Sequence, residues 1–172
     1  MRPLDRWLKF WVTLSELKLL SMAQENVGIY DATMFAEKHY AMPKVVIVGT
    51  NPSRQSDNML PFDESTKSGT TVRFWFNDFT YGISYKNLYN GHTIGNKVPK
   101  KSDCEDGVKR IALYASKGYK IVSCGAFVDR MLKDANIKHF PMPHPSGLNR
   151  FWNDKVAREA KIAEMHKWIA KP

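Results

Sequence analysis

The sequence has few of the residues that build covalent or metal-held scaffolds. It contains two cysteines, Cys104 and Cys124, and no C-x-x-C pair. This excludes a four-cysteine iron–sulfur cluster, and the low count favours a reducing compartment. We expect no cofactor, and the dinucleotide-binding motif G-x-G-x-x-G is absent. We also expect no metal, because of the spacing of the histidines. The histidines that lack the spacing of metal ligands to cysteines or carboxylates are His39, His92, His139 and His166.

Long apolar runs are missing as well. No stretch approaches the roughly 18 apolar residues of a membrane span, so no membrane partner is expected. Asp5, Lys9 and Glu16 interrupt the first apolar stretch, which is unlike a secretory signal. The chain has no repeats and no internal linker, which predicts a single domain over residues 1–172, with 1–40 as a helical extension. We expect the protein to be intracellular, either cytoplasmic or associated with the nucleoid.

Negative charge is comparatively scarce. The 26 lysines and arginines outnumber the 17 acidic residues, which gives a net charge of +9 and a pI near 9.5. A basic protein of this kind favours an anionic partner, with nucleic acid first, although a merely basic soluble protein is the plainer alternative. Cations in or near the predicted loops are Arg54, Lys67, Lys97, Lys100, Lys101 and Arg150.

Strands and helices alternate along the chain. The β-branched run from Val45 to Val48 is typical of a strand buried on both faces, and Gly49 and Pro52 end it. Further strands are predicted over residues 81–90, 119–124 and 137–141. Alternation with helices predicts parallel pairing and a three-layer α/β/α sandwich.

The helices are predicted from apolar spacing and from capping residues. After a polar loop over 54–72, a short aromatic helix is predicted over 71–79. Ser102 and Glu105 have the spacing of a capping box, S-x-x-E, and Gly118 is the expected stop. The remaining predicted helices cover residues 4–20, a segment up to Tyr40, residues 126–135, and a segment from a cap at Asn153 or Asp154 to Ala170.

Two polar motifs follow predicted strands, where open parallel sheets bind their ligands. Gly49-Thr-Asn-Pro-Ser53 resembles the water-activating motif of the uracil-DNA glycosylase superfamily, written G-x-N-P-G in its mismatch-specific and single-strand-selective branches. His144-Pro-Ser-Gly-Leu-Asn-Arg150 resembles the family's DNA-intercalation motif, which reads N-P-S-G-L-S-R in the mismatch-specific branch and begins H-P-S-P in others. The resemblance covers roughly residues 44–170 and implies a four-stranded sheet in the order 2-1-3-4.

The resemblance implies two catalytic residues. Asn51 would orient a water through its amide carbonyl, and His144 would donate a hydrogen bond to the pyrimidine O2 as negative charge builds there. The plainer alternatives are a turn asparagine bonded to its own backbone and a loop histidine bonded to a carbonyl.

Further roles follow from the same resemblance. Phe62 would stack on an extruded base, and Asn87, in the second strand, would pair with the pyrimidine edge. Ser53 stands where the uracil-strict branch has a tyrosine, so it leaves room at C5. Leu148 would be the wedge that fills the gap in the duplex. Phosphate contacts are expected from Arg54, Arg150, Ser146 and Ser53, while core packing or simple solvation remains the alternative for each residue.

These features predict a monofunctional DNA glycosylase, since neither motif contains a lysine for Schiff-base chemistry. It would flip uracil or a 5-substituted pyrimidine out of DNA and hydrolyse the N-glycosidic bond, acting as a monomer. Two alternatives remain open at this point. One is a catalytically inactive DNA-binding module of the same fold, and the other is an α/β enzyme that acts on free nucleotides.

Overall fold

The structure is a computed structural model that describes residues 44–54, 59–76, 81–93 and 97–172. The helices predicted over 4–20 and up to Tyr40 lie outside the described residues, and so does the helical extension. No helix in the described ranges is both long and apolar enough to cross a membrane.

Four parallel strands form the sheet: β1 (Lys44–Gly49), β2 (Gly82–Asn87), β3 (Lys120–Cys124) and β4 (Phe140–Met142). Their order is β2-β1-β3-β4, which confirms the predicted 2-1-3-4 topology. β1 is central, and its apolar run is completely buried. Register pairs Gly49 with Asn87, so the ends of β1 and β2 lie side by side.

Helices cover both faces of the sheet: α1 (Lys67–Phe74), α2 (Glu105–Ser116), α3 (Ala126–Asp134) and α4 (Lys155–Ile169). Alternate residues of β1 point into two separate cores. Val45 and Ile47 pack with α1 and α4, whereas Val46 and Val48 pack with α2 and α3. The three-layer α/β/α sandwich predicted from the sequence is therefore confirmed.

The helix α1 begins earlier than predicted, inside the segment interpreted as a polar loop. Thr66 caps it, because its Oγ1 accepts a hydrogen bond from the backbone N–H of Gly69 at 3.1 Å. A Cβ on Gly69 would come within 1.9 Å of the Asp63 carbonyl oxygen, so glycine allows α1 to approach the preceding loop closely. A glycine inside a helix weakens the local helix signal, which explains the error.

The predicted capping box at Ser102 is wrong. A 3₁₀ turn, Ser102–Cys104, precedes α2, and no side chain caps either element. Lys101 already has helical backbone angles, so the chain enters the helix one residue before the motif. At the other end, Gly118 has φ +80°, as a helix stop requires.

Strand β4 starts later than predicted, at Phe140. The backbone N–H of Ile137 donates to the Leu132 carbonyl at 2.9 Å, which keeps this segment tied to the end of α3. Of the two caps considered for the last helix, Asp154 is the one observed, since its Oδ1 accepts from the N–H of Ala157.

Candidate functional site

A cavity of about 820 Å³ opens at the carboxyl edge of the sheet. Parallel strands end together there, so both sequence motifs and the ends of β1, β2 and β3 contribute to it. The residues that the sequence predicted and that line this cavity are Asn51, Ser53, Arg54, Phe62, Asn87, His144, Ser146 and Leu148. Arg150, in the 3₁₀ turn Arg150–Asn153, is exposed and lies outside the lining.

Asn51 lies in the turn that follows β1. Its Nδ2 donates to the Pro52 carbonyl oxygen at 3.0 Å, which fixes the plane of the amide. The backbone bond expected of a turn asparagine is therefore present, and it leaves Oδ1 without a hydrogen bond from the described residues. An oriented amide oxygen at a cavity wall can accept a hydrogen bond from a water, but it cannot remove a proton.

Phe62 and Asn87 converge on Gly49. A Cβ on Gly49 would lie 2.7 Å from the Asn87 Oδ1 and 2.9 Å from the Phe62 Cζ, so the absence of a side chain lets both groups approach. Asn87 is 4% exposed, and its Nδ2 is buried without a hydrogen-bond partner in the described part of the chain. A buried donor of this kind is costly unless a polar group meets it. Phe62 and Asn87 therefore place an aromatic face beside an amide edge at this corner of the cavity.

The imidazole of His144 is held in one tautomer. Its Nδ1 accepts a hydrogen bond from the backbone N–H of Ser146 at 3.2 Å, so a neutral ring carries its proton on Nε2. The ring lies against Gly125 at the end of β3, where a Cβ would be 3.1 Å from its Cδ2. Although His144 is exposed at the rim, desolvation by surrounding protein lowers the pKa of its imidazole. The ring is therefore suited to donating from Nε2 while uncharged.

The second motif is a braced loop. The His144 carbonyl accepts from Trp152 Nε1 at 2.7 Å and from Asn149 Nδ2 at 3.0 Å. Gly147 packs against the aliphatic chain of Lys67. Leu148 projects from this frame with 92% of its surface exposed. The alternative that Leu148 packs in the core is therefore wrong.

Cations line the cavity without opposing carboxylates. Arg54, Lys67 and Lys97 contribute to the described walls, and no aspartate or glutamate does. The site therefore attracts anions, and phosphates are the natural partners of such a surface. Lys101, in contrast, pairs with Asp134 at 3.0 Å on the exposed surface. The wall residues that the sequence did not suggest include Thr93, Val98 and Phe127, which carry no motif and are placed only by tertiary packing.

The one thiol among the described residues of the cavity is not available as a nucleophile. Cys124 lines the cavity, but burial raises the pKa of its thiol far above the usual range, so it stays protonated. Across the described ranges, no group of three or more histidine, cysteine or acidic side chains could hold a metal ion.

The fold and the cavity together define an α/β protein with a cation-bearing cavity at the carboxyl edge of a parallel sheet. Residues 37–169 match the model of the Uracil DNA glycosylase superfamily. The match covers most of the chain, and the chain belongs to this family. Membership indicates DNA glycosylase activity in general and DNA as the partner. No curated protein matches the chain.

Proposed function

We propose that the protein is a monofunctional DNA glycosylase that excises uracil or a 5-substituted pyrimidine after flipping the base out of the duplex. The observation that carries this proposal is the convergence of Asn51, Phe62, Asn87 and His144 on one cavity. Each of these side chains offers a different interaction that the reaction requires. Family membership supports the chemistry, and the geometry supports the division of roles.

Recognition of the base would use the buried corner at Gly49. The Phe62 ring provides a stacking face, and aromatic stacking is sequence-tolerant because every base has a π-face. The buried Nδ2 of Asn87 would donate to the pyrimidine O4, which supplies its missing partner. A carbonyl at that position is favoured over an amino group, because two donors cannot pair.

Bond cleavage would depend on charge stabilisation rather than on a base. As the C1′–N1 bond breaks, its electron pair moves onto the pyrimidine, and the Nε2–H of His144 donates to O2 where charge collects. The deoxyribose becomes cation-like, and the water held by Asn51 Oδ1 bonds to C1′. That water then loses a proton to solvent, and the departed base takes one from solvent. Neither Asn51 nor a neutral His144 needs to change its own protonation state.

The cavity rim would hold the distorted DNA. Leu148 would enter the space that the flipped base leaves, while Arg54, Lys67 and Lys97 would contact phosphates. Ser146 lies beside the wedge, and Arg150 would contact the backbone outside the cavity. Lys67 lies along Gly147 and would act as a phosphate contact rather than as a Schiff-base nucleophile.

The proposal is tested with duplex and single-stranded oligonucleotides that carry uracil or a 5-substituted uracil. We expect alkali-dependent strand breaks at the modified base and no covalent adduct after borohydride treatment. Tight binding without breaks would identify an inactive DNA-binding module. Breaks without alkali, or a trapped adduct, would contradict the monofunctional mechanism, and inactivity with DNA but turnover of free nucleotides would favour the nucleotide enzyme.

Replacing the wedge should separate base extrusion from chemistry. Leu148→Ala should fold normally, because a side chain that is 92% exposed contributes little to the core. We expect activity to fall by roughly tenfold on paired duplex and by much less on single strands, where little unstacking is needed. Single-turnover rates on both substrates measure the effect. Leu113→Ala, at an exposed position on α2, is the control, and equal losses on both substrates for Leu148→Ala would contradict a wedge.

A further inference from the structure

Arg73, on α1, lies behind Phe62 and outside the cavity lining. Its Nη1 donates to the Phe62 carbonyl at 2.6 Å and to the Gly69 carbonyl at 3.1 Å. Its guanidinium also lies over the Tyr85 ring, 5.1 Å from the centroid. The Tyr85 ring in turn meets the Phe62 ring at 6.0 Å between centroids. The same aromatic residue is therefore held from its backbone and from its ring.

Phe62 has a backbone conformation that needs such support. Its φ is +51°, in the left-handed region, which is strained for a bulky residue and persists only where neighbouring groups impose it. Gly69 brings α1 against this loop, and a Cβ there would be 2.6 Å from the Phe62 carbonyl oxygen. That proximity is what places the carbonyl within reach of the guanidinium.

Other roles for Arg73 fit the contacts less well. Its ion pair with Glu64 is long, at 3.7 Å, and Glu64 is 81% exposed, so the pair contributes little. The guanidinium already donates to two carbonyls and covers a ring, which leaves it poorly disposed to bind a phosphate. Lysine could not reproduce these contacts, since its ammonium is compact and lacks a planar face.

We propose that Arg73 is a positioning residue that fixes Phe62 at the angle needed to stack on the extruded base. This inference rests on the proposed glycosylase function and adds a residue to it. Arg73 would not touch DNA. It would act by holding the Phe62 carbonyl and by supporting the Phe62 ring through Tyr85.

The test is a double-mutant cycle between Arg73→Met and Phe62→Leu, read as the single-turnover rate on uracil-containing DNA. We expect Arg73→Met to lower the rate about tenfold in the wild-type background and by less than about twofold when Phe62 is already leucine. The single-turnover rate of Arg73→Lys should lie between those of Arg73→Met and the wild type. Affinity for undamaged duplex should stay unchanged in all of these variants.

The controls separate positioning from stability and from DNA contact. Arg158→Met is the matched control, because the Arg158 guanidinium also covers a ring, that of Phe74 at 5.6 Å, away from the cavity. Urea unfolding shows which variants fold. If Arg73→Met does not fold, Arg73→Lys replaces it in the double-mutant cycle. Equal rate losses in both backgrounds would overturn the positioning role, and weaker binding of undamaged duplex would indicate a phosphate contact instead. A wild type without glycosylase activity would overturn the proposed function, and this inference with it.

Discussion

Asn51→Ala and His144→Ala should each lower the single-turnover rate of base excision by roughly 10²–10³. In the proposed mechanism, alanine at position 51 removes the amide oxygen that would hold the water, and alanine at 144 removes the donor that would meet the charge on O2. Both residues lie on exposed or half-buried loops rather than in the core, so folding and DNA affinity should change little. Quenched single-turnover assays with enzyme in excess measure the chemical step.

Matched substitutions outside the cavity provide the controls for these two variants. Asn90→Ala and His92→Ala remove the same residue types from exposed positions after β2 that do not line the site. They should keep wild-type rates. Wild-type rates in Asn51→Ala and His144→Ala would show that the active site has been assigned wrongly.

The rate should also depend on pH through His144. Desolvation lowers its pKa below the usual 6.5, so the ring is neutral at pH 7 and donates from Nε2. As pH falls through the lowered pKa, Nδ1 gains a proton and faces the N–H of Ser146, and the hydrogen bond that orients the ring is lost. We therefore expect a plateau at neutral pH and a decline below it, with the inflection absent in His144→Ala. A rate that rises on acidification would contradict the neutral donor.

Ser53→Tyr should change which bases are accepted. Ser53 lines the cavity at the place where the resemblance puts a tyrosine that crowds the pyrimidine C5 in the uracil-strict branch. Tyr85 and Phe62 are the two side chains that could fill that space instead. Tyr85 packs against Phe62 and does not line the cavity, whereas Phe62 does. An open pocket discriminates one methyl by only about 1–3 kcal/mol, whereas a steric block is far stronger. We expect the variant to lose activity on 5-hydroxymethyluracil relative to uracil by roughly 10².

The measurement is the ratio of single-turnover rates on the two bases in the same sequence context. Ser53→Ala keeps the space and should keep the wild-type ratio, which separates bulk at position 53 from loss of the hydroxyl. A wild type that processes uracil alone would contradict the open pocket. So would a tyrosine variant that handles both bases in the wild-type ratio.

The strands of the sheet could be predicted because the residue types that indicate them lie within or directly after each strand. Four β-branched residues followed by Gly49 and Pro52 define β1, and the motifs that follow strands end up in one cavity because parallel strands end together. The start of α1 could not be predicted, because glycine has a low helix propensity. Gly69 is accommodated there because any side chain would overlap the Asp63 carbonyl, a contact that the sequence does not show. The role proposed for Arg73 could not be predicted either, because the Phe62 carbonyl and the Tyr85 ring meet its guanidinium only through tertiary packing.

Gly49, at the end of β1, limits how the thermal stability of this protein can be increased. Glycine in a strand is entropically costly, and replacing it with a strand-forming residue is a standard route to higher thermal tolerance. At Gly49 even one methyl group would overlap the Asn87 amide and the Phe62 ring. A strand-forming residue at this position would therefore have to displace the side chains that form the proposed base-recognition corner, and the overlap would offset the entropic gain. Stabilising substitutions are better sought at positions that do not line the cavity.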